Sequence, residues 1–89
     1  MHVEKLASTV FTPLENGAGV LLNLNTLCYY NLNKTGVAVW KLLEEAKTVG
    51  LDEITGRICE RFDVEQDAAQ IDLKAFVEHL ARFNMVTIV

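Results

Sequence analysis

The hydrophobic rhythm of this chain changes once, between residues 32 and 34, and no other feature constrains its fold as tightly. Upstream, Leu22-Asn23-Leu24-Asn25 and Tyr29-Tyr30-Asn31-Leu32-Asn33 carry the short period of β-strands. Downstream, Gly36-Val37-Ala38-Val39-Trp40-Lys41-Leu42-Leu43 opens a run of helical spacing. A small sheet therefore precedes a helical bundle, and this order leaves a strand edge lying beside a helix.

Three strands are expected ahead of that junction. Leu6–Thr12 alternates loosely and is rich in β-branched residues, with Pro13 at its end, and Asn16-Gly17 supplies the left-handed residues of a hairpin turn. Gly19–Leu24 is the second strand, Asn25-Thr26 a turn, and Leu27–Leu32 the third, so the three make an antiparallel meander. Asn33 then caps a helix running to about Ala46, with Val37, Trp40 and Leu43 on its buried side. A second helix starts at Leu51 or Asp52 and presents Leu51, Ile54, Ile58 and Phe62. Its cap is Thr48 or Gly50. The third, Gln66 to Arg82, carries the stripe Ala69, Leu73, Phe76, Val77, Leu80 and Phe83, and Asn84 is the left-handed residue that stops it. Met85–Val89 reads as a terminal strand that adds to the sheet or covers its edge. The expected class is α+β and winged-helix-turn-helix-like: a three-stranded antiparallel sheet, three helices and a short C-terminal strand in one domain over residues 1–89.

A chain of 89 residues buries only roughly 60–65% of the surface its unfolded form exposes, so its core depends on a few well-placed large side chains. Net charge is −4, and by segment it is −1 over residues 1–32, −1 over 33–63 and −2 over 64–89, with no basic block. The start lacks a secretory signal and no run reaches membrane-spanning length, which points to a cytoplasmic protein with no membrane partner. Cys28 and Cys59 form no CxxC pair and read as small buried apolar residues rather than as a disulfide. His2, at a terminus expected to fray, and His79 do not complete a metal site.

Parts for catalysis are missing. There is no carboxylate pair in a motif, no nucleophile context and no glycine-rich phosphate loop, so neither catalytic residues nor a cofactor are expected. Winged helices often bind DNA, but the third helix sets Asp67, Asp72 and Glu78 against Lys74 and Arg82, the wrong sign for phosphate. What remains is recognition by a sheet edge, where a partner segment pairs with free N–H and C=O groups while a neighbouring helix supplies side chains. On the third strand Leu27, Tyr29 and Asn31 face one way and Cys28, Tyr30 and Leu32 the other. On the third helix Asp72, Phe76, His79 and Phe83 follow at spacings of 4, 3 and 4 and can line the far wall.

These pieces resemble the PqqD family of peptide chaperones, the recognition elements for ribosomally made, modified peptides. The likeness rests on Val20-Leu21-Leu22-Asn23-Leu24, Tyr29–Asn33, Thr35-Gly36 with Trp40–Leu43, Leu51–Ile54, and Asp72-Leu73 with Phe76-Val77, Leu80 and Met85-Val86, over roughly residues 18 to 86. It implies a non-catalytic protein that adds the leader of a precursor peptide as a strand beside its third strand, against its third helix. It further implies a partner enzyme, such as a radical S-adenosylmethionine enzyme or a leader peptidase. The peptide-binding positions it implies are Cys28, Tyr29, Tyr30, Asn31 and Leu32 with Asp72, Ala75, Phe76, His79 and Phe83. Two departures stand out: a long Lys47–Gly50 loop with Gly50 where a capping Thr or Ser is usual, and Asn84 in place of Gly. The alternatives are a structural subunit of an enzyme complex and a winged-helix DNA-binding regulator. An open edge can also pair with its own copy, as a homodimer.

Overall fold

In chain order the elements are β1 (His2–Lys5), β2 (Thr9–Pro13), a 3₁₀ turn (Glu15–Gly17), β3 (Gly19–Asn23), β4 (Tyr29–Leu32), α1 (Lys34–Glu45), β5 (Val49–Gly50), α2 (Leu51–Arg61), α3 (Gln66–Arg82) and β6 (Val86–Ile88). They come from a computed structural model that describes residues 1–89. The strands form two separate antiparallel sheets, ordered β2-β3-β4 and β5-β1-β6. The meander and the three helices are those the periodicity predicts, and the architecture is α+β.

The second sheet is the main departure. The N-terminus does not fray: the backbone N–H of His2 donates to Val89 at 3.2 Å, and that of Val89 returns to His2 at 2.9 Å. Val3 is wholly buried between Val49 and Ile88, its partners on the two flanking strands. The terminal strand therefore pairs with β1 and does not extend the meander. The loop before α2 is long because it holds β5, whose Val49 plugs the core, and Gly50 opens α2 without a side-chain cap. Asp52 and Glu53 in the first turn and Arg61 in the last complement the helix dipole instead.

Local signals at the other helix ends act as the residue types require. Asn33 Oδ1 accepts from Gly36 N–H at 2.8 Å and starts α1. Asn84, at φ 59°, lets Met85 N–H reach back to Leu80 C=O at 2.8 Å and ends α3. One cluster of 18 buried apolar residues draws on both sheets and all three helices, so neither sheet is packed independently. Trp40, 1% exposed, sits in it with its indole N–H unpartnered, and therefore contributes apolar area rather than a hydrogen bond.

Two strand starts shift. The expected turn at Asn25-Thr26 is present, but the connection runs on through Leu27 in the left-handed region at φ 62°, and β4 starts only at Tyr29. Similarly, Leu6 to Ser8 turn out of the sheet: Leu6 N–H donates to Met85 C=O at 3.1 Å, and β2 begins at Thr9. Cys28 is exposed at the end of that connection, which corrects the buried reading, because the turn carries it off the sheet's core face. Cys59 packs partly buried against the core.

Gly19 shows how tightly the meander is closed. A Cβ there would come within 2.4 Å of the Phe11 ring, which lies across the neighbouring strand. Gly19→Ala is expected to lower stability by about 1–3 kcal/mol, read as a lower midpoint in thermal or urea unfolding, because Phe11 must leave its seat.

Candidate functional site

The order β2-β3-β4 leaves one side of β4 without a strand partner. The ladder settles which groups face that side. Cys28 and Asn23 are a hydrogen-bonded position, Asn23 N–H donating to Cys28 C=O at 2.9 Å, and Tyr30 and Leu32 follow in phase opposite Leu21 and Gly19. Antiparallel pairing alternates, so the N–H and C=O of Tyr29 and Asn31 are directed to the open edge.

Native edges are commonly guarded by charge or by proline. This one is not. Between Leu6 and Asn33 the sole Asp, Glu, Lys or Arg is Glu15, which lies in the β2–β3 turn and not on β4. Beside the edge runs α3, which puts an aromatic cluster along the gap. The Tyr30 ring stands 6.3 Å from that of Phe76, edge to face, and 5.6 Å from that of Phe83. Phe76 is half-buried and Phe83 is 43% exposed, so these two residues, shared by the two overlapping stripes expected on α3, leave the core stripe. Ala69, Leu73, Val77 and Leu80 turn to the core, while Phe76 and Phe83 turn toward β4.

The site residues expected from the sequence fall into distinct places. Tyr30, Asn31 and Leu32 line one depression with Phe76, although the Leu32 side chain itself is buried in the core. Asp72 and Phe76 line a neighbouring recess of about 330 Å³ with Asn33, Thr35, Gly36 and Val64. Tyr29, 67% exposed, and Cys28 lie at the start of β4 on the solvent side. Ala75 and His79 are exposed on α3 and line neither cavity. Gly36 is needed for close approach: a Cβ there would stand 3.1 Å from Leu32 and 3.3 Å from Phe76.

Asn23 is a residue the periodicity does not single out. It is 3% exposed, its Oδ1 accepts from the N–H groups of Asn25 and Thr26 at 2.8 and 3.2 Å, and its Nδ2 donates to Asn84 C=O. It thus ties the β3–β4 turn to the end of α3, the two elements that flank the gap. The one available signal was a polar residue inside an otherwise apolar strand.

The arrangement can hold an extended peptide by backbone pairing and apolar contact. Comparisons with known proteins bear on the family and the fold. The profile of the family described as coenzyme PQQ synthesis protein D (PqqD) matches residues 18–86. TbiB1, solved in complex with the TbiA(beta) leader peptide, superposes with a TM-score of 0.85 at 28% identity, covering 97% of this chain and 96% of its own. A lasso peptide synthetase B1 complexed with the leader peptide gives 0.77 at 21% identity, covering 97% and 98%, a likeness of fold. No curated protein sequence matches the chain.

Proposed function

The chain belongs to the PqqD family, and from that premise we propose that it binds the leader segment of a ribosomally synthesised precursor peptide as an added strand on β4. The observation that carries the reading is the uncharged open edge of β4 facing the Tyr30, Phe76 and Phe83 cluster. The solved relative TbiB1 binds a leader peptide, and its likeness extends over nearly the whole of both chains.

In this reading residues 1–89 act as one recognition domain in the cytosol and contribute no bond-making chemistry. The backbone of Tyr29 and Asn31 supplies the pairing groups. Tyr30, Phe76 and Phe83 supply apolar contact, and the recess at Asp72 takes a side chain of the leader. Each backbone hydrogen bond adds about 1 kcal/mol net, offset by ordering a flexible leader, which gives affinity near micromolar, roughly −8 kcal/mol. Binding of that strength permits delivery to a modifying enzyme and release afterwards. A radical S-adenosylmethionine enzyme or a leader peptidase is the type of enzyme served.

The test is a titration of isotopically labelled protein with the leader segment of a precursor encoded beside its gene. Saturable amide shifts are expected at Tyr29 to Leu32 and along Asp72 to Phe83. Saturable shifts confined to β1, β5 and β6, or none at all, would refute strand addition at β4.

A further inference from the structure

Lys34, Lys41 and Arg61 are scattered in sequence, but the fold gathers them at one cleft of about 230 Å³ between the β2–β3 turn and the helices. The cleft's apolar walls include Phe11, Leu14 and Phe62, and no carboxylate lines it. No side-chain hydrogen bond engages any of the three cations. The Arg61 guanidinium carbon lies 5.7 Å from the centroid of the Phe62 ring, which holds this charge against the wall. Lys34 is the first residue of α1, at the positive end of a helix whose first turn contains no acidic residue. The cleft's own lining is thus positive and partly apolar in a protein of net charge −4, although Lys41 and Arg61 also border an adjoining hollow that holds Glu45 and Glu60.

This cleft adjoins the candidate groove. Ala18 lines both the cleft and the depression formed by Tyr30, Asn31 and Phe76, and Lys34 follows Asn33 directly. We infer that the cleft binds an acidic stretch of the leader, anchored by an apolar side chain, that flanks the part paired with β4; the inference rests on the leader-binding reading above. Backbone pairing alone accepts a strand in either direction. The cleft lies at one end of β4 only, since Ala18 adjoins Gly19, the partner of Leu32, and Lys34 comes two residues after Leu32, whereas Tyr29 begins the strand at the other end. An acidic flank at one peptide terminus is therefore favoured and at the other is not, so the cleft sets the direction in which the leader lies.

The probe is the fluorescently labelled leader of the precursor encoded beside the gene, carrying after a diglycine spacer a tail of three glutamates or three glutamines at either end. With anisotropy read at about 50 mM salt, the glutamate tail is expected to tighten binding about tenfold over the glutamine tail at one terminus only. The gain should shrink at about 500 mM salt, and should vanish in Lys41→Gln/Arg61→Gln while glutamine-tail affinity is kept. Both side chains are exposed, and a circular dichroism melt checks that the variant folds. Equal binding of the two tails at both termini, with the untailed leader still bound, overturns the cleft's role, as does a gain that survives the double substitution. Failure of every peptide, untailed included, overturns the leader-binding reading and this inference with it.

Discussion

Asn31→Pro is expected to leave the protein folded and to weaken leader binding by about 2–3 kcal/mol, on the order of 30- to 150-fold. The reason lies in the phase of the ladder. Asn31 stands opposite Val20 at a position that makes no bond to β3, so its N–H is turned outward and proline there removes no internal hydrogen bond. The same sheet already ends β2 with Pro13. For an incoming strand the loss is larger than one donor, because the ring also stands in the way of the partner backbone. Tyr30→Pro should do the opposite: it deletes a bond to β3 opposite Leu21, strains the meander and unfolds the protein. Calorimetric titration with the leader, beside thermal melts of both variants, separates the two. Undiminished affinity in a folded Asn31→Pro would rule out β4 as the pairing edge.

Most of the fold could be read from the sequence because its signals are local. Asn33, the stripe through Val37, Trp40 and Leu43, the acidic first turn of α2 and the left-handed Asn84 each act within one turn of helix, and each helix lies where those residues place it. Of the sheet β5-β1-β6 only the terminal strand β6 was legible, and the rest was hidden for the opposite reason. Its strands come from the two ends and the middle of the chain, and β5 is only Val49–Gly50, too short to show a period. Leu27 at φ 62° was likewise hidden, since a bulky side chain seldom takes that region, and it does so here within a turn whose N–H groups Asn23 collects.

The site divides along the same line. Aromatic residues on one strand and one helix suggested a groove, but whether Phe76 and Phe83 belong to the core or to the gap depends on how α3 is rotated. Spacing cannot fix that, because the two stripes overlap on the helix surface. The rotation is fixed by Leu73, Val77 and Leu80, which are 4% exposed or less, and this swings Phe76 and Phe83 toward Tyr30. The positive cleft was invisible by segment because its three cations come from α1 and the end of α2.

Asn23→Ala is expected to cost about 2–4 kcal/mol of stability, a large share of what a domain of this size has. The side chain is buried, and its loss leaves two turn N–H groups and the Asn84 carbonyl without their partner. Its effect on binding follows from what it joins. The β3–β4 turn sets where β4 begins, and Asn84 directly follows Phe83, whose ring packs on Tyr30. Releasing the tie frees both walls of the groove, so leader affinity should fall further than the unfolded fraction alone explains. Asn23→Asp separates the two functions of the side chain. A carboxylate still accepts from Asn25 and Thr26, but it cannot donate to Asn84 and sets its charge against that carbonyl. The aspartate variant should therefore keep an ordered turn while its amide shifts at Phe83 and Asn84 move most. If instead the two variants melt together and perturb the turn alike, the tie to α3 contributes nothing and the width of the groove is set by the core beneath it.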